Sequence, residues 1–157
     1  MVARLLPHAP NFTPIGAIAI FGGLYLPKRL SIALPLLVML ASDIFIGFYD
    51  WKIMLSVYLG FVIVSLIALV IRKNPSFIKI TASTLLGSTI FFLITNLAVW
   101  LFGTMYQFNL TGLLNCYYMA IPFFRNSLLG DIFYTGVLVG GYELIKFYTV
   151  KKVIETV

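Results

Sequence analysis

Long apolar runs separated by short polar breaks dominate the chain. Ile53 to Ile71 carries no charged residue and is bounded by Lys52 and by Arg72-Lys73-Asn74-Pro75. A helix that crosses a bilayer needs about 20 predominantly apolar residues, so this run predicts one crossing. Ile80 to Phe124 is also uncharged and is long enough for more than one helix. Its most polar part, Gly103 to Asn109, is the predicted break.

The remaining apolar segments complete a prediction of six helices in a single membrane domain, residues 1–157. Their expected ranges are 14–26, 30–48, 53–71, 76–102, 110–122 and 127–148. Pro27-Lys28-Arg29 ends the first helix, and the segment from Pro122 to Asn126 separates the last two. The first and fifth helices are short for a full crossing, so each needs tilt, burial inside the bundle or a partial crossing.

The composition indicates that the outer surface of the predicted helices is in contact with lipid. The chain is 61% hydrophobic and 10% charged, whereas a soluble domain is about half apolar and about a quarter charged. The net charge of +6 comes from basic residues that flank the apolar segments, as is usual in membrane proteins, and it does not indicate a nucleic-acid partner. We therefore expect an all-α, multi-pass protein of the inner (plasma) membrane, with the lipid bilayer as its partner.

Charged side chains inside the predicted helices are the first candidates for function, because the bilayer interior makes them costly. Asp43 lies within the second helix and must face the bundle interior, a partner or an aqueous cavity. It could instead be structural, accepting hydrogen bonds from a neighbouring helix, from Arg4 or from Arg125. Asp131 opens the last predicted helix, where the helix dipole alone would also explain a carboxylate.

Other polar residues could line a site with these carboxylates. Asn96 lies in mid-helix with Trp100 four residues on, so an amide and an indole share one face; they could contact a ligand or only pack. The segment before the first helix holds Pro7, Pro10 and Pro14, which make it stiff and extended. It presents His8 and Asn11, either as a lid over a pocket or as an ordered lead-in to the helix.

Small residues form a stripe on the first helix. Gly16, Ala19 and Gly23 are spaced three and four apart, and Gly136 and Gly140 are four apart in the last helix. Such spacing lets helix backbones approach closely. The contact could lie inside the bundle or on a partner helix that docks there.

The signatures of an enzyme are missing from the sequence. The single histidine excludes a His-based metal cage within one chain, and no phosphate-binding glycine loop or nucleophile elbow is present. Asp43 and Asp131 could form an intramembrane aspartyl pair only if the fold brings them together. We expect no catalysis, no cofactor and no metal site.

Three segments together resemble a known membrane family. They are residues 4–17 (RLLPHAPNFTPIGA), Leu34-Pro35-Leu36-Leu37 leading to Ser42-Asp43, and Thr95-Asn96 with Trp100 followed by residues 121–131 (IPFFRNSLLGD). They are similar to a bacterial multi-pass membrane family of unknown function, which is related to the S components of energy-coupling-factor (ECF) transporters. The resemblance to the unknown-function family covers nearly the whole chain.

The resemblance implies an S-component-like bundle of six helices that binds a vitamin-like nutrient in a pocket closed by loops. S components dock through small residues of the first helix onto a membrane coupling subunit driven by two ATPases. The stripe of Gly16, Ala19 and Gly23 is similar to that docking feature. The residues depart from the usual Ala-xxx-Ala pattern, since position 15 is Ile and position 23 is Gly.

The sequence therefore predicts a substrate-binding subunit for a small organic nutrient. The pocket candidates are Asp43, Asn96, Trp100, Asn126 and Asp131, and the lid candidates are His8 and Asn11. The alternative is an accessory or structural subunit without a ligand, held in a larger membrane complex by its small-residue stripes, in which the polar residues only clamp helices.

Overall fold

The computed structural model describes residues 10–155, and within that range it contains five α-helices and no β-strand. The helices are α1 (Ile15–Tyr25), α2 (Lys28–Ile46), α3 (Trp51–Ile71), α4 (Phe77–Phe102) and α5 (Leu110–Glu155). The prediction of an all-helical fold is confirmed. The first four helices begin and end within about two residues of the predicted positions, which is the usual uncertainty of helix ends.

Polar side chains fix two of these helix starts. The Asp50 carboxylate accepts hydrogen bonds from the backbone N–H groups of Lys52 and Ile53, at 2.9 and 3.2 Å. Ser76 accepts one from the N–H of Lys79 at 3.3 Å. These caps satisfy first-turn donors that have no partner within the helix, so α3 and α4 start where the sequence places a capping residue.

The predicted fifth and sixth helices form one helix, so the expected break from Pro122 to Asn126 is wrong. Helix α5 runs for 46 residues with Pro122 inside it. It is held to α4 on both sides of the proline: the Tyr117 hydroxyl donates to the Leu93 carbonyl at 2.8 Å, and the rings of Phe124 and Phe92 are 4.5 Å apart. Proline is tolerated in long membrane helices because neighbouring helices stabilise the interrupted turn.

Four helices, α2 to α5, are long and apolar enough to cross a membrane. Their outward side chains are largely hydrophobic, including Ile44, Phe45, Val70 and Phe77, which are all exposed. Hydrocarbon is the solvent that such a surface requires. The structure therefore indicates a membrane protein whose helices contact the lipid bilayer.

Helix α1 is the short central element of the bundle. It contacts all four other helices, and eight of its 11 residues are buried. Its Ala19, Ile20 and Leu24 form a core with side chains of α3 and α5. Shelter by neighbouring helices, one of the options expected for a short first helix, is thus what the structure shows.

The small-residue stripe on α1 packs inside the chain. Ala19 is fully buried, Gly23 lies against Ala68 and the backbone of Ser65, and Gly16 lies against Asp131. In α5, by contrast, a side chain at Gly136 or Gly140 would meet nothing within 4 Å. The α1 stripe therefore sets how closely α1 approaches α3 and α5, and docking of a partner on it stays a prediction.

The length of α1 explains where space remains in the bundle. Its 11 residues span about 17 Å, whereas the hydrocarbon core of a bilayer is about 30 Å thick. The helices around α1 are long enough to span that thickness. The axis of the bundle is consequently filled over only part of its length.

Replacing Gly23 with Ala should destabilise the protein by about 1–3 kcal/mol, because the new methyl group would press on α3 backbone that cannot rotate away. Gly136→Ala is the matched control: it adds the same group in open space, where alanine favours the helix by up to about 1 kcal/mol. Thermal unfolding in mild detergent measures both. Equal unfolding midpoints for the two variants would contradict the packing of α1 described above.

Candidate ligand-binding cavity

A cavity of about 340 Å³ lies at the N-terminal end of α1, and all five helices line it. Most of its wall is apolar or aromatic: Ile15, Gly16, Met39, Ile53, Val57, Phe61, Val64, Phe91, Phe92, Val99, Ala120, Phe123 and Phe124. Its polar lining residues are Asn11, Thr13, Tyr49, Ser88, Thr95, Asn96, Ser127 and Asp131. An apolar wall with a few convergent polar groups is typical of small-molecule sites.

Asp131 of α5 is held in place by α1 and α4. The Ser88 hydroxyl lies 2.6 Å from Asp131 Oδ2 and 2.9 Å from its own helix's Thr84 carbonyl. The carboxylate also occupies the space beside Gly16 where any other residue would have its Cβ atom. Glycine at position 16 therefore lets the carboxylate of α5 lie directly against the first turn of α1.

Two pairs of aromatic rings form walls of the cavity. The ring centroids of Phe61 and Phe91 are 4.6 Å apart, and those of Phe92 and Phe124 are 4.5 Å apart. Both pairs join α4 to a neighbouring helix, α3 in the first case and α5 in the second. Because each ring packs against a ring of another helix, contacts between helices hold these walls in place.

The segment before α1 closes one side of the cavity. Asn11 and Thr13 line it, and Asn11 adopts a left-handed backbone conformation with φ of 63°. Between them, Phe12 packs on α5, 5.4 Å from the ring of Tyr134 and against Gly130. Asn11 thus lines the cavity, and its role as a lid residue stays a prediction, while His8, the other lid candidate, lies outside the described residues.

The structure brings together three of the predicted site residues. Asn11, Asn96 and Asp131 come from separate parts of the chain and all line the cavity. The Asn96 amide donates to the carbonyl of Phe92 in its own helix at 2.8 Å. Contact of these three residues with a ligand stays a prediction.

Trp100 and Asn126 are not among the lining residues. The Trp100 indole N–H donates to the Gln107 carbonyl at 3.1 Å, and its ring stacks on Phe108 at 4.5 Å. Trp100 therefore fastens the loop after α4 to that helix. Asn126 is partly buried on α5, and a ligand contact by either residue stays a prediction.

Asp43 is buried between α2 and α3, outside the cavity lining. It is 1% exposed, and the Tyr58 hydroxyl donates to its Oδ2 at 3.0 Å. Of the three surroundings expected for this carboxylate, which were the bundle interior, a partner and an aqueous cavity, the structure shows the bundle interior. Asp43 and Asp131 have different hydrogen-bonding neighbours, and only Asp131 lines the cavity, so this geometry does not support an aspartyl pair.

Sequence reasoning did not single out several hydroxyl-bearing residues that line the cavity, among them Ser88, Thr95 and Ser127. Serine and threonine are common in membrane helices, where their hydroxyls bond to the preceding turn, so their presence carries little signal. The spacing of these residues along the helices is more informative than their presence. Ser127 lies four residues before Asp131 and Ser88 eight before Asn96, which places each pair on one helix face.

A family model described as a family of unknown function (DUF6580) matches residues 1–153. A search of curated proteins and a search of solved structures found no match.

Replacing Asp43 with Ala should lower the stability by about 1–3 kcal/mol, because it leaves the Tyr58 hydroxyl without this acceptor in the bundle. In a Tyr58→Phe background the same replacement should cost about 1 kcal/mol less. Thermal unfolding of the two single variants and the double variant measures this coupling. If Asp43→Ala instead kept full stability and lost a bound small molecule, Asp43 would be a ligand contact, as the sequence alone suggested.

Proposed function

The chain belongs to DUF6580, a family of unknown function, and we propose that it is a membrane-embedded binding subunit for the uptake of a small organic nutrient. The observation that carries the proposal is the cavity at the N-terminal end of α1, with Asp131 and Asn96 in its wall. An ionisable group inside a membrane bundle is costly, and such groups commonly mark functional sites. Here Asp131 is such a group, and several polar side chains converge with it on one space.

The size of the cavity supports a ligand of few atoms. Sites for small molecules are about 300–1,000 Å³, and the cavity, at about 340 Å³, is at the lower end of that range. Its volume is about ten times that of a water molecule in the liquid. A vitamin-sized molecule or a smaller one is the class of ligand that it would enclose.

The proposal extends to an S-component-like subunit of the inner membrane that works with a coupling subunit and ATPases. What supports this extension is the resemblance of the sequence motifs, together with a short first helix preceded by a segment that covers a cavity. A six-helix arrangement would require the 46-residue α5 to act as two helices that meet near Pro122.

Docking of a coupling subunit on α1 would require movement. Gly16, Ala19 and Gly23 are buried, so a partner helix reaches them only if α1 becomes exposed. In this proposal the ligand-binding cavity and the accessible stripe belong to different conformations, and ligand release accompanies the exposure of α1.

An accessory subunit without a ligand is the second candidate. It is favoured by Gly136 and Gly140, which are exposed and four residues apart on α5. Stripes of small residues with open space beside them are suited to contact with a partner helix. In this case the purified protein would carry a protein partner and no small molecule.

Native mass spectrometry of the purified protein distinguishes the two candidates, with one pair of matched variants. Ala120 lines the cavity and is 9% exposed, whereas its neighbour Met119 is 58% exposed. We expect a small molecule bound to the wild type and to Met119→Phe, and none bound to Ala120→Phe, because the added ring fills the cavity. Ala120→Leu should give an intermediate loss, since it adds less volume.

Thermal unfolding of the same variants controls for misfolding, because overpacking costs about 1–3 kcal/mol by itself. A wild-type protein that carries a stoichiometric protein partner and no small molecule would support the accessory subunit. Retention of the small molecule by a folded Ala120→Phe protein would remove the cavity as the binding site.

A further inference from the structure

Among the described residues that line the cavity, those with a formal charge are all of one sign. Among the lining residues in the described part of the chain, Asp131 is the only one with a formal charge, and none is a lysine, arginine or histidine. The other polar groups are hydroxyls and amides, which adapt to a donor or an acceptor. Within the described part of the chain, the formal charge that a ligand in the cavity would meet is therefore that of one carboxylate.

The surroundings of Asp131 leave that charge only partly balanced. Within residues 10–155 its hydrogen-bond partner is the hydroxyl of Ser88, and it takes part in no ion pair there. A carboxylate can accept about four hydrogen bonds, so one hydroxyl does not satisfy it. The first turn of α1, next to Gly16, contributes about half a positive charge through the helix dipole. A cation in the cavity would neutralise the remaining negative charge of Asp131.

The aromatic side chains in the cavity wall also favour a positively charged ligand. The faces of phenylalanine rings carry partial negative charge and attract cations within about 6 Å of the ring centre. Phe61, Phe91, Phe92 and Phe124 all line the cavity. Where a ring presents its face to the ligand, a cation gains an attraction that an anion does not. The carboxylate of Asp131 repels an anion.

The shape and lining of the cavity favour an organic cation over a metal ion. Hard metal ions take about six oxygen ligands at 2.0–2.6 Å, whereas most of this wall is apolar. The volume of about 340 Å³ accommodates a molecule with an apolar body. We infer that the cavity binds a small organic cation, with its positive group at Asp131 and its apolar body against the phenylalanine rings; this rests on the proposed binding function.

The experiment compares charged probes with neutral molecules of nearly the same shape. The probes are benzylammonium against benzyl alcohol, and choline against 3,3-dimethylbutan-1-ol, with benzoate as the anion. Each is titrated into the purified protein in mild detergent, and the rise of the unfolding midpoint gives its affinity. In parallel, small molecules released from the protein by denaturation are identified by accurate mass.

Three variants assign the effect to Asp131. Asp131→Asn removes the charge and keeps the size, and Asp131→Glu keeps the charge but lengthens the side chain beside Gly16. Asp50→Asn is the matched control, since it removes a carboxylate at the exposed start of α3, where asparagine caps a helix equally well.

We expect wild-type protein to prefer a cationic probe over its neutral partner, and to release a cationic compound on denaturation. Asp131→Asn should weaken binding of the cation by about 30-fold or more, the usual loss when one member of a buried charge pair is removed. Asp131→Glu should keep the preference for cations with weaker binding, and Asp50→Asn should behave as wild type. If Asp131→Asn does not fold, the comparison of benzylammonium with benzyl alcohol on the wild type decides.

The two levels of the proposal fail in different ways. If the wild type retains a neutral or anionic compound, or binds benzyl alcohol or benzoate as tightly as benzylammonium, the inferred charge is wrong and the binding function stands. If no compound is released and no probe raises the unfolding midpoint, the binding function is overturned together with the inferred charge.

Discussion

The hydrocarbon of a bilayer offers a carboxylate no hydrogen bonds. An aspartate in a membrane helix therefore needs hydrogen-bond donors or a cation inside the protein. The chain satisfies this constraint in two ways. Asp43 is buried between two helices and accepts a hydrogen bond from Tyr58. Asp131 receives one from Ser88, with a cavity beside it. The first arrangement is suited to joining helices, and the second to receiving a ligand.

The cavity follows from the dimensions of one helix. Because α1 is much shorter than the helices around it, it fills only part of the bundle axis, and a cavity lies at its N-terminal end. Gly16 has a second role there, since its missing side chain is what admits Asp131 to the first turn of α1. The features that set the packing of α1 thus also set the chemistry of the cavity.

The sequence predicted the positions of the first four helices well, because the length of an apolar run is a local signal. It placed a break at Pro122 because proline ends helices in water, and contacts of Tyr117 and Phe124 with α4 override that rule. It also singled out Asp131 and Asn96, whose polarity is unusual in a membrane helix. The long-range packing that separates Asp131 from Asp43, and that recruits Ser88, depends on which helix faces meet, and no local pattern contains that information.

An experimental density map of the purified protein, resolved at the level of side chains, tests the central claim most directly. The account predicts density for a small molecule in the cavity, with its polar end at Asp131 and its apolar part against Phe91 and Phe92. A map in which the phenylalanine side chains close the space, and Asp131 pairs with a basic side chain of its own chain, would contradict it.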